Sequence, residues 1–528
     1  DFGPAAFYTS PVCTRLGDCG RARCSSSSSS SSTHHQLIII MAFTILHTVF
    51  IVVFAVGGLG LLGVSLWSAE LINKVVMYSL KLTPGSEMAD KFRHPPVPIY
   101  QRVYMFNLTN YDEVLMGLTP HVEELGPYVF RINMTKTNMS WSEPDATVLR
   151  FQQLKTFHFE AEMSNGTLQD EVVTINPILL GIFSQGMQSY FPNRTLFFKK
   201  TVGELLYDGF SDPLLEDEDV REEITAPMVD GRVGFLIGTN GTIEGDFEVY
   251  SGVGNVSKLN NIISFNNKSV LDHYLPPWNE LQGSTNGEIF PPFDPMTLDS
   301  VTVFNPQLCV PWKLHRVQQL NVSGLSLTRF GHPRDLFSTK VPTENEVDPN
   351  YEDGLFDASI CQYDQPVILS LPHFLCVSSN FVEVKGLTPN LEKHGFYFDV
   401  YPKLGLTIDM RVQIQVNFRL VGGLSESNIP KVVYPVFWQE VSLEKSDRDS
   451  LAEALHARVE NTPHIMQVAA GVLAALCFLI STALLAHSLN CCSRGHRSIS
   501  ESNNNNNNET TAAARYDAQN HDVQFGSV

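Results

Sequence analysis

Residues 37–67 read LIIIMAFTILHTVFIVVFAVGGLGLLGVSLW, and residues 465–489 read IMQVAAGVLAALCFLISTALLAHSL. Each run exceeds the ~20 apolar residues that an α-helix needs to cross ~30 Å of hydrocarbon. The only ionisable residues in them are His47 and His487. A secretory signal core is ~7–15 residues long and ends at a small-residue cleavage site, whereas the first run passes directly into Glu70, Leu71, Ile72, Asn73 and Lys74. The two runs predict a hairpin in which membrane helices at 41–67 and 465–489 hold one large domain, 68–464, between them.

Orientation follows from the flanking segments. Nine Asn-X-Ser/Thr triplets, at Asn107, Asn133, Asn138, Asn165, Asn193, Asn240, Asn255, Asn267 and Asn321, fall between the spans, and such density fits a segment exposed to the glycosylation machinery. Arg494 and Arg497 follow the second span, where cytosolic positive charge belongs. Both termini are thus expected in the cytosol. Residues 1–40 lack methionine and carry a serine run, Ser25 to Ser32, so they read as a translated, disordered leader before Met41. Residues 490–528, with the Asn503 to Asn508 tract, read as a disordered tail.

The formal charge of −20 on 528 residues leaves no general basic surface, which argues against nucleic acid as a partner. Of nine cysteines, Cys309, Cys361 and Cys376 lie between the spans, enough for one disulfide with one thiol left over. Cys491 and Cys492 abut the membrane, the usual setting for palmitoylation. Gly57, Gly60, Gly63, Ala470 and Ala474 are small enough to bring spans together, and a homo-oligomer is compatible with them.

The central domain reads as α+β, mainly antiparallel β. Its clearest strand is Arg411 to Leu420, where Val412, Ile414, Val416, Phe418 and Leu420 alternate with Arg411, Gln413, Gln415, Asn417 and Arg419. Period two predicts one buried and one wet face. Asn-Gly pairs at Asn165, Asn240 and Asn286 predict primed hairpin turns, the second flanked by Phe235 to Ile237 and Phe247 to Tyr250. A helix is predicted from Asn176 and Pro177, with apolar residues Ile178, Leu179, Ile182, Phe183, Met187, Tyr190 and Phe191 at helical spacing. A second should start at Thr201, boxed by Glu204, and end near Asp208 and Gly209.

No zinc motif His-Glu-x-x-His, phosphate-binding glycine loop or Gly-x-Ser-x-Gly elbow is present, and nothing in the sequence calls for a cofactor or metal. An enzyme is unsupported.

Residues 95–107, PPVPIYQRVYMFN, and 122–131, VEELGPYVFR, resemble the class B scavenger receptors. Residues 201–209 (TVGELLYDG), 250–255 (YSGVGN), 290–293 (FPPF) and 371–374 (LPHF) match that family in order, so the resemblance covers about 59–492. It implies a large β-barrel-like ectodomain with a helical apex near 176–209 and an internal apolar tunnel. It further implies a receptor that docks lipoproteins, anionic lipids or fatty acids at the apex and passes lipid through the tunnel towards the membrane. By position, Ile182, Phe183, Met187, Phe191, Arg194, Lys199 and Lys200 would be the docking residues. The resemblance also pairs Cys309 with Cys361. The close cysteine pair that the family carries after an Asn-Tyr step is absent after Asn350-Tyr351, another expected cysteine is absent after Trp278, and the apical lysine cluster of the fatty-acid translocase has no counterpart in Tyr190 to Thr195.

The tail lacks the acidic dileucine signal of the lysosomal member, which favours the plasma membrane over the lysosomal or endosomal membrane. Adhesion or recognition without lipid transfer, or lysosomal sorting, are the alternative functions. Trimeric channels share the two-span plan but hold their ectodomains with more disulfides than three cysteines allow. Topology is directly testable: epitope tags at either terminus should stay shielded from antibody on intact cells, and a surface-accessible C-terminal tag would rule out the hairpin.

Overall fold

The computed structural model describes residues 32–184, 196–216, 218, 228–308, 310–332, 337, 354–362, 365–377, 383–420 and 432–519. The chain forms two compact units, Ser68–Ile465 and, apart from it, the two end segments.

In the end segments the helices Ser32–Ser79 and Thr462–Gln519 contain apolar stretches long enough to cross a membrane, the first at Met41–Trp67. Their contacts are the sparse polar ones that serve between helices in lipid. Ser65 Oγ donates to the Gln467 carbonyl at 3.1 Å and Ser481 Oγ to that of Ile51 at 3.3 Å, while Ser488 Oγ and His47 Nδ1 share a 2.8 Å hydrogen bond. The small residues divide unexpectedly. Ala470 and Ala474 are buried as anticipated, but Gly57, Gly60 and Gly63 have no neighbour at their Cα, and Gly58 is the glycine that meets Cys477 and Phe478.

The central unit holds strands β1 (Ile99–Leu108), β2 (Val122–Trp141), β3 (Val148–Phe159), β4 (Glu171–Ile175), β5 (Phe197–Thr201), β6 (Met228–Val229), β7 (Arg232–Val233), β8 (Thr242–Tyr250) and β9 (Ile262–Phe265). They are followed by β10 (Ser284–Thr285), β11 (Ser300–Val303), β12 (Trp312–Val322), β13 (Leu325–Gly331), β14 (Leu355–Asp357), β15 (Val367–Ser370), β16 (Tyr397–Tyr401), β17 (Leu406–Leu420) and β18 (Val432–Ser442). Fourteen of them form one nearly closed sheet whose main path runs β10-β11-β12-β13-β16-β17-β18-β1-β2-β3-β8-β9, antiparallel except between β10 and β11.

The hairpins use other turns than the Asn-Gly pairs. A type I′ turn needs positive φ at both central residues, and the structure has this at Asp230-Gly231 (53° and 74°), Asn266-Asn267 (50° and 62°) and Ser323-Gly324 (49° and 85°). At Asn165, Asn240 and Asn286 only the following glycine turns left-handed. Asn240 instead spends its carboxamide on the Phe157 backbone, accepting from its N–H at 3.0 Å. Residues 235–237 are not a strand either, because the Phe235 and Leu236 N–H groups go to the Leu205 and Leu206 carbonyls, and β8 pairs with β3 and β9.

The first predicted helix is described only as far as Ser184, and Met187, Tyr190 and Phe191 lie outside the described residues. Asn176 Oδ1 caps the helix Pro177–Ser184 by accepting from Ile178 N at 3.0 Å. Thr201 and Glu204 close a reciprocal box, Thr201 N to Glu204 Oε2 at 3.1 Å and Glu204 N to Thr201 Oγ1 at 3.3 Å, ahead of a π-helical turn at Glu204–Asp208. Ile178, Leu179, Leu180, Leu205 and Leu206 pack with Phe157, Phe159, Phe418 and Leu420 at one end of the strands. Leu80, Leu82, Ala452 and Leu455 pack with Leu149, Phe151 and Ile408 at the other.

The expectation of a wet face on β17 fails. Gln413, Gln415 and Asn417 are completely buried: β15 pairs alongside the second half of β17, and the segments 371–377 and 383–394 bring polar groups to this face, the Lys393 carbonyl accepting from Gln413 Nε2 at 2.7 Å. Each finds polar partners under that cover. Asn417 Nδ2 donates to the Ile368 carbonyl (2.9 Å) and Ser370 Oγ (3.0 Å), and Gln415 Oε1 accepts from the His373 N–H at 2.6 Å. His373 Nδ1 accepts from Thr388 N, which leaves Nε2–H to donate to Glu124 Oε2 at 2.6 Å, and Trp438 Nε1 donates to the same oxygen at 2.7 Å. Trp438 stacks on Tyr104, and His394 lies against His373 with ring centroids 4.4 Å apart.

Two predictions follow from this buried layer. Asn417→Ala removes the side-chain donor to the Ile368 carbonyl and the acceptor of Gln415 Nε2 (2.7 Å) in a dry site, and should lower stability by about 1–3 kcal/mol, read as a fall in melting temperature of the detergent-purified protein. The other concerns pH. Burial, then the facing His373, pushes His394 down from 6.5 to about 4, against the pull of Glu124 and with Lys393 and Arg411 also near. Between these values the unfolded chain binds a proton that the native one excludes, so stability present above pH 6.5 drains away as pH falls towards 4. Burial would raise the Glu124 carboxyl, but the hydrogen bonds from His373 and Trp438 outweigh it and hold it below its ordinary value, so its contribution is lost in the same direction at lower pH. The melting temperature of His394→Gln should fall less than that of the native protein over the acid range; equal slopes would remove His394 as the cause.

Candidate functional site

Inside the sheet lies a cavity of ≈ 140 Å³. Its body is apolar, formed by Ile132, Met134, Phe157, Phe398, Val412 and Val441, residues of alternate positions on β2, β3, β16, β17 and β18 that all face inward. Period-two geometry makes this unavoidable: a strand that closes a barrel sends every second side chain to the interior.

The same alternation carries polar groups inside. On β3 the sequence Phe151, Gln153, Lys155, Phe157 occupies one face, and on β2 Lys136 follows Ile132 and Met134. Lys155 Nζ donates to Glu244 Oε1 at 2.6 Å, and Gln153 Nε2 to Glu244 Oε2 at 2.6 Å. Lys136, wholly buried, pairs with Glu288, whose other oxygen accepts from Asn286 Nδ2 at 3.1 Å. Burial pushes the Lys136 ammonium down against the pull of Glu288, and the amine lies 4.5 Å from the centre of the Phe92 ring. Across the cavity Tyr207 OH donates to Gln101 Oε1 and Gln101 Nε2 to Gln439 Oε1. Burial also pushes the Tyr207 phenol far up, so it stays neutral.

The expected docking residues are only partly described. Ile182 and Phe183 lie on the helix Pro177–Ser184 with their side chains outside the described ones, and Met187, Phe191 and Arg194 lie outside the described residues altogether. Lys199 and Lys200 are on β5, paired with β4, rather than on a helix. Each has an acidic partner: Lys199 with Glu171, and Lys200 Nζ with Glu204 Oε1 at 3.4 Å, also 5.2 Å from the centre of the Phe210 ring. Among the described residues no three His, Cys, Asp or Glu side chains converge as a metal site.

Of the sequon asparagines, Asn133, Asn138, Asn165, Asn240, Asn255, Asn267 and Asn321 are exposed. Asn107 is half-buried in β1, accepting from Val173 N at 2.9 Å. Asn193 and Cys309 lie outside the described residues, as do the side chains of Cys491 and Cys492.

The polar interior was not among the expected site residues. A lysine at an inward position of a strand otherwise apolar on that face, as at Lys136, was the available signal. Glu124, His373 and Trp438 were likewise unassigned, although Glu124 and His373 sit in two of the matched blocks, 122–131 and 371–374, which the structure joins through one hydrogen bond.

Comparison with known proteins agrees with this architecture. The model of the CD36 family matches residues 49–487. Scavenger receptor class B member 1 of Mus musculus is 30% identical over 416 residues, covering 74% of this chain and 81% of that protein. Lysosome membrane protein 2 of Rattus norvegicus is 28% identical, covering 78% and 88%, and protein peste of Drosophila melanogaster is 27% identical, covering 77% and 76%. Running from inside the first apolar helix to the end of the second, across the whole sheet between them, the match means that the chain belongs to the CD36 family, the class B scavenger receptors.

Proposed function

We propose that this protein is a cell-surface scavenger and lipid receptor that takes up lipids, fatty acids or lipoprotein lipid and passes lipid through the barrel towards the bilayer. The observation that carries this reading is the cavity itself: a chamber with an apolar body lined by strands β1, β2, β3, β16, β17 and β18 together with residues 286–288 and 303–307, where a packed core would otherwise be. Its wall suits acyl or ring carbons. The helical segment and the two ends of the unit's chain pack at opposite ends of these strands, so a ligand entering beside 177–208 would travel along them.

Docking is proposed at the helical segment and its flank, including Ile182, Phe183, Met187, Phe191, Arg194, Lys199 and Lys200. Lys199 and Lys200 are already paired with glutamates, and exposed pairs contribute little, so charge changes at either alone should have small effects. The molecule is further proposed to reside in the plasma membrane with both termini cytosolic, glycosylated on its exposed sequons, and palmitoylated at Cys491 and Cys492. A Cys309–Cys361 bridge is supported by Cys361 being disulfide-bonded, whereas Cys376 and Cys477 carry thiols.

Filling the chamber tests the reading. Val441→Trp should cut lipid uptake by cells severalfold and reduce the lipid that co-purifies with the full-length protein, at unchanged surface level. Undiminished uptake by a normally expressed variant would mean that lipid does not pass this way.

A further inference from the structure

The ladder between β1 and β2 begins at Ile99 and Ile132. Proline sets that limit: Pro95, Pro96 and Pro98 carry no N–H, so the chain leading into β1 cannot pair further along β2. At Asn133, Met134 and Thr135 strand β2 is therefore bonded to β3 on one side, and on the other faces residues 94–98 across an open groove of ≈ 330 Å³. That volume is within the range that holds a small ligand.

The groove is mixed in chemistry and has little charge. Pro95, Pro96, Val97 and Met134 supply apolar surface, the unpaired edge of β2 supplies backbone donors and acceptors, and Arg131 is held by Glu160 at 2.8 Å. Such a wall suits an uncharged sugar, whose ring carries C–H groups on its faces and hydroxyl and amide groups around its rim. A sugar also has a point of attachment here. Asn133, exposed and lining the groove, opens the triplet Asn133-Met134-Thr135. Among the described residues its carboxamide has no hydrogen-bond partner, whereas Asn138, Asn165 and Asn240 commit Nδ2 to Gln152 Oε1 and to the Gly126 and Phe157 carbonyls.

We propose that the N-glycan on Asn133 folds back into this groove and that its first N-acetylglucosamine serves as the missing neighbour of β2. The proposal rests on the reading that the exposed sequons are glycosylated. Ile99, Ile132 and Met134 line both the groove and the central cavity, so the seated sugar closes the barrel wall from outside at the place where β1 and β2 part.

Hydrogen exchange of the full-length protein in detergent tests this, with peptide mapping to score the occupancy of each sequon. Thr135→Ala abolishes the triplet and should speed exchange of 97–99 and 132–135 severalfold, whereas Thr135→Ser preserves it and should exchange as the native protein does. Ser269→Ala, which removes the sugar from Asn267, should leave both segments unchanged. In protein made with oligomannose chains, endoglycosidase H leaves one N-acetylglucosamine on each asparagine and should keep the protection, and complete removal by peptide-N-glycosidase F should abolish it. Equal exchange with and without sugar on Asn133 overturns the seating. A bare Asn133 in a chain glycosylated elsewhere overturns the proposal and leaves glycosylation standing, and no sugar at any sequon removes both. The enzyme comparison on native protein decides if Thr135→Ala fails to fold.

Discussion

A sheet that curls until it nearly meets itself takes polar groups out of water on both of its faces, and each of them has to find its partner within the protein. The outer face of β17 and β18 shows one solution, a covered layer in which Gln413, Gln415, Asn417, Glu124, His373 and Trp438 are bonded to one another or to backbone. The inner face shows another, two lysine–glutamate pairs set among amides and a phenol. Removing both members of such a pair is far cheaper than removing one, since the survivor would be an uncompensated charge in a dry place.

Much of the architecture was legible in the residues. Length and apolarity announced the two spans, and Asn176-Pro177 and the Thr201–Glu204 box announced helical turns that the structure realises through the expected hydrogen bonds. Period two found β17 but misjudged it. The pattern Gln413, Gln415, Asn417 normally means water, and only chain at His373 and Lys393, bonded to Gln415 and Gln413, turns that face into an interior. Asn-Gly pairs misled for a local reason, since their asparagines use side-chain bonds that an open turn permits.

The site was less legible than the fold. Gln101, Lys136, Gln153, Lys155, Glu244, Glu288 and Gln439 come from six separate stretches, and nothing in their spacing says that they face one another. Charge counting along the chain finds Lys199 and Lys200 because they are adjacent, yet pairing with Glu171 and Glu204 blunts both. Adjacency in sequence marks surface clusters well and interior ones poorly, because strands bring distant residues together two at a time.

One feature of the topology bears on how the protein is made. Strand β1 has β18 as its neighbour, so Gln101 bonds Gln439, 338 positions further along the chain. The partner of one of the first strands out of the ribosome is the last strand of the domain. Throughout synthesis β1 offers an open edge, and the apolar inner wall has nothing to close against. Joining two strands over so long a loop is slow as well as late. A chain truncated anywhere before residue 432 would lack the strand that joins the two halves of the sheet, whatever else it retained, and chaperones have the full transit time of the domain in which to meet the unfinished edge.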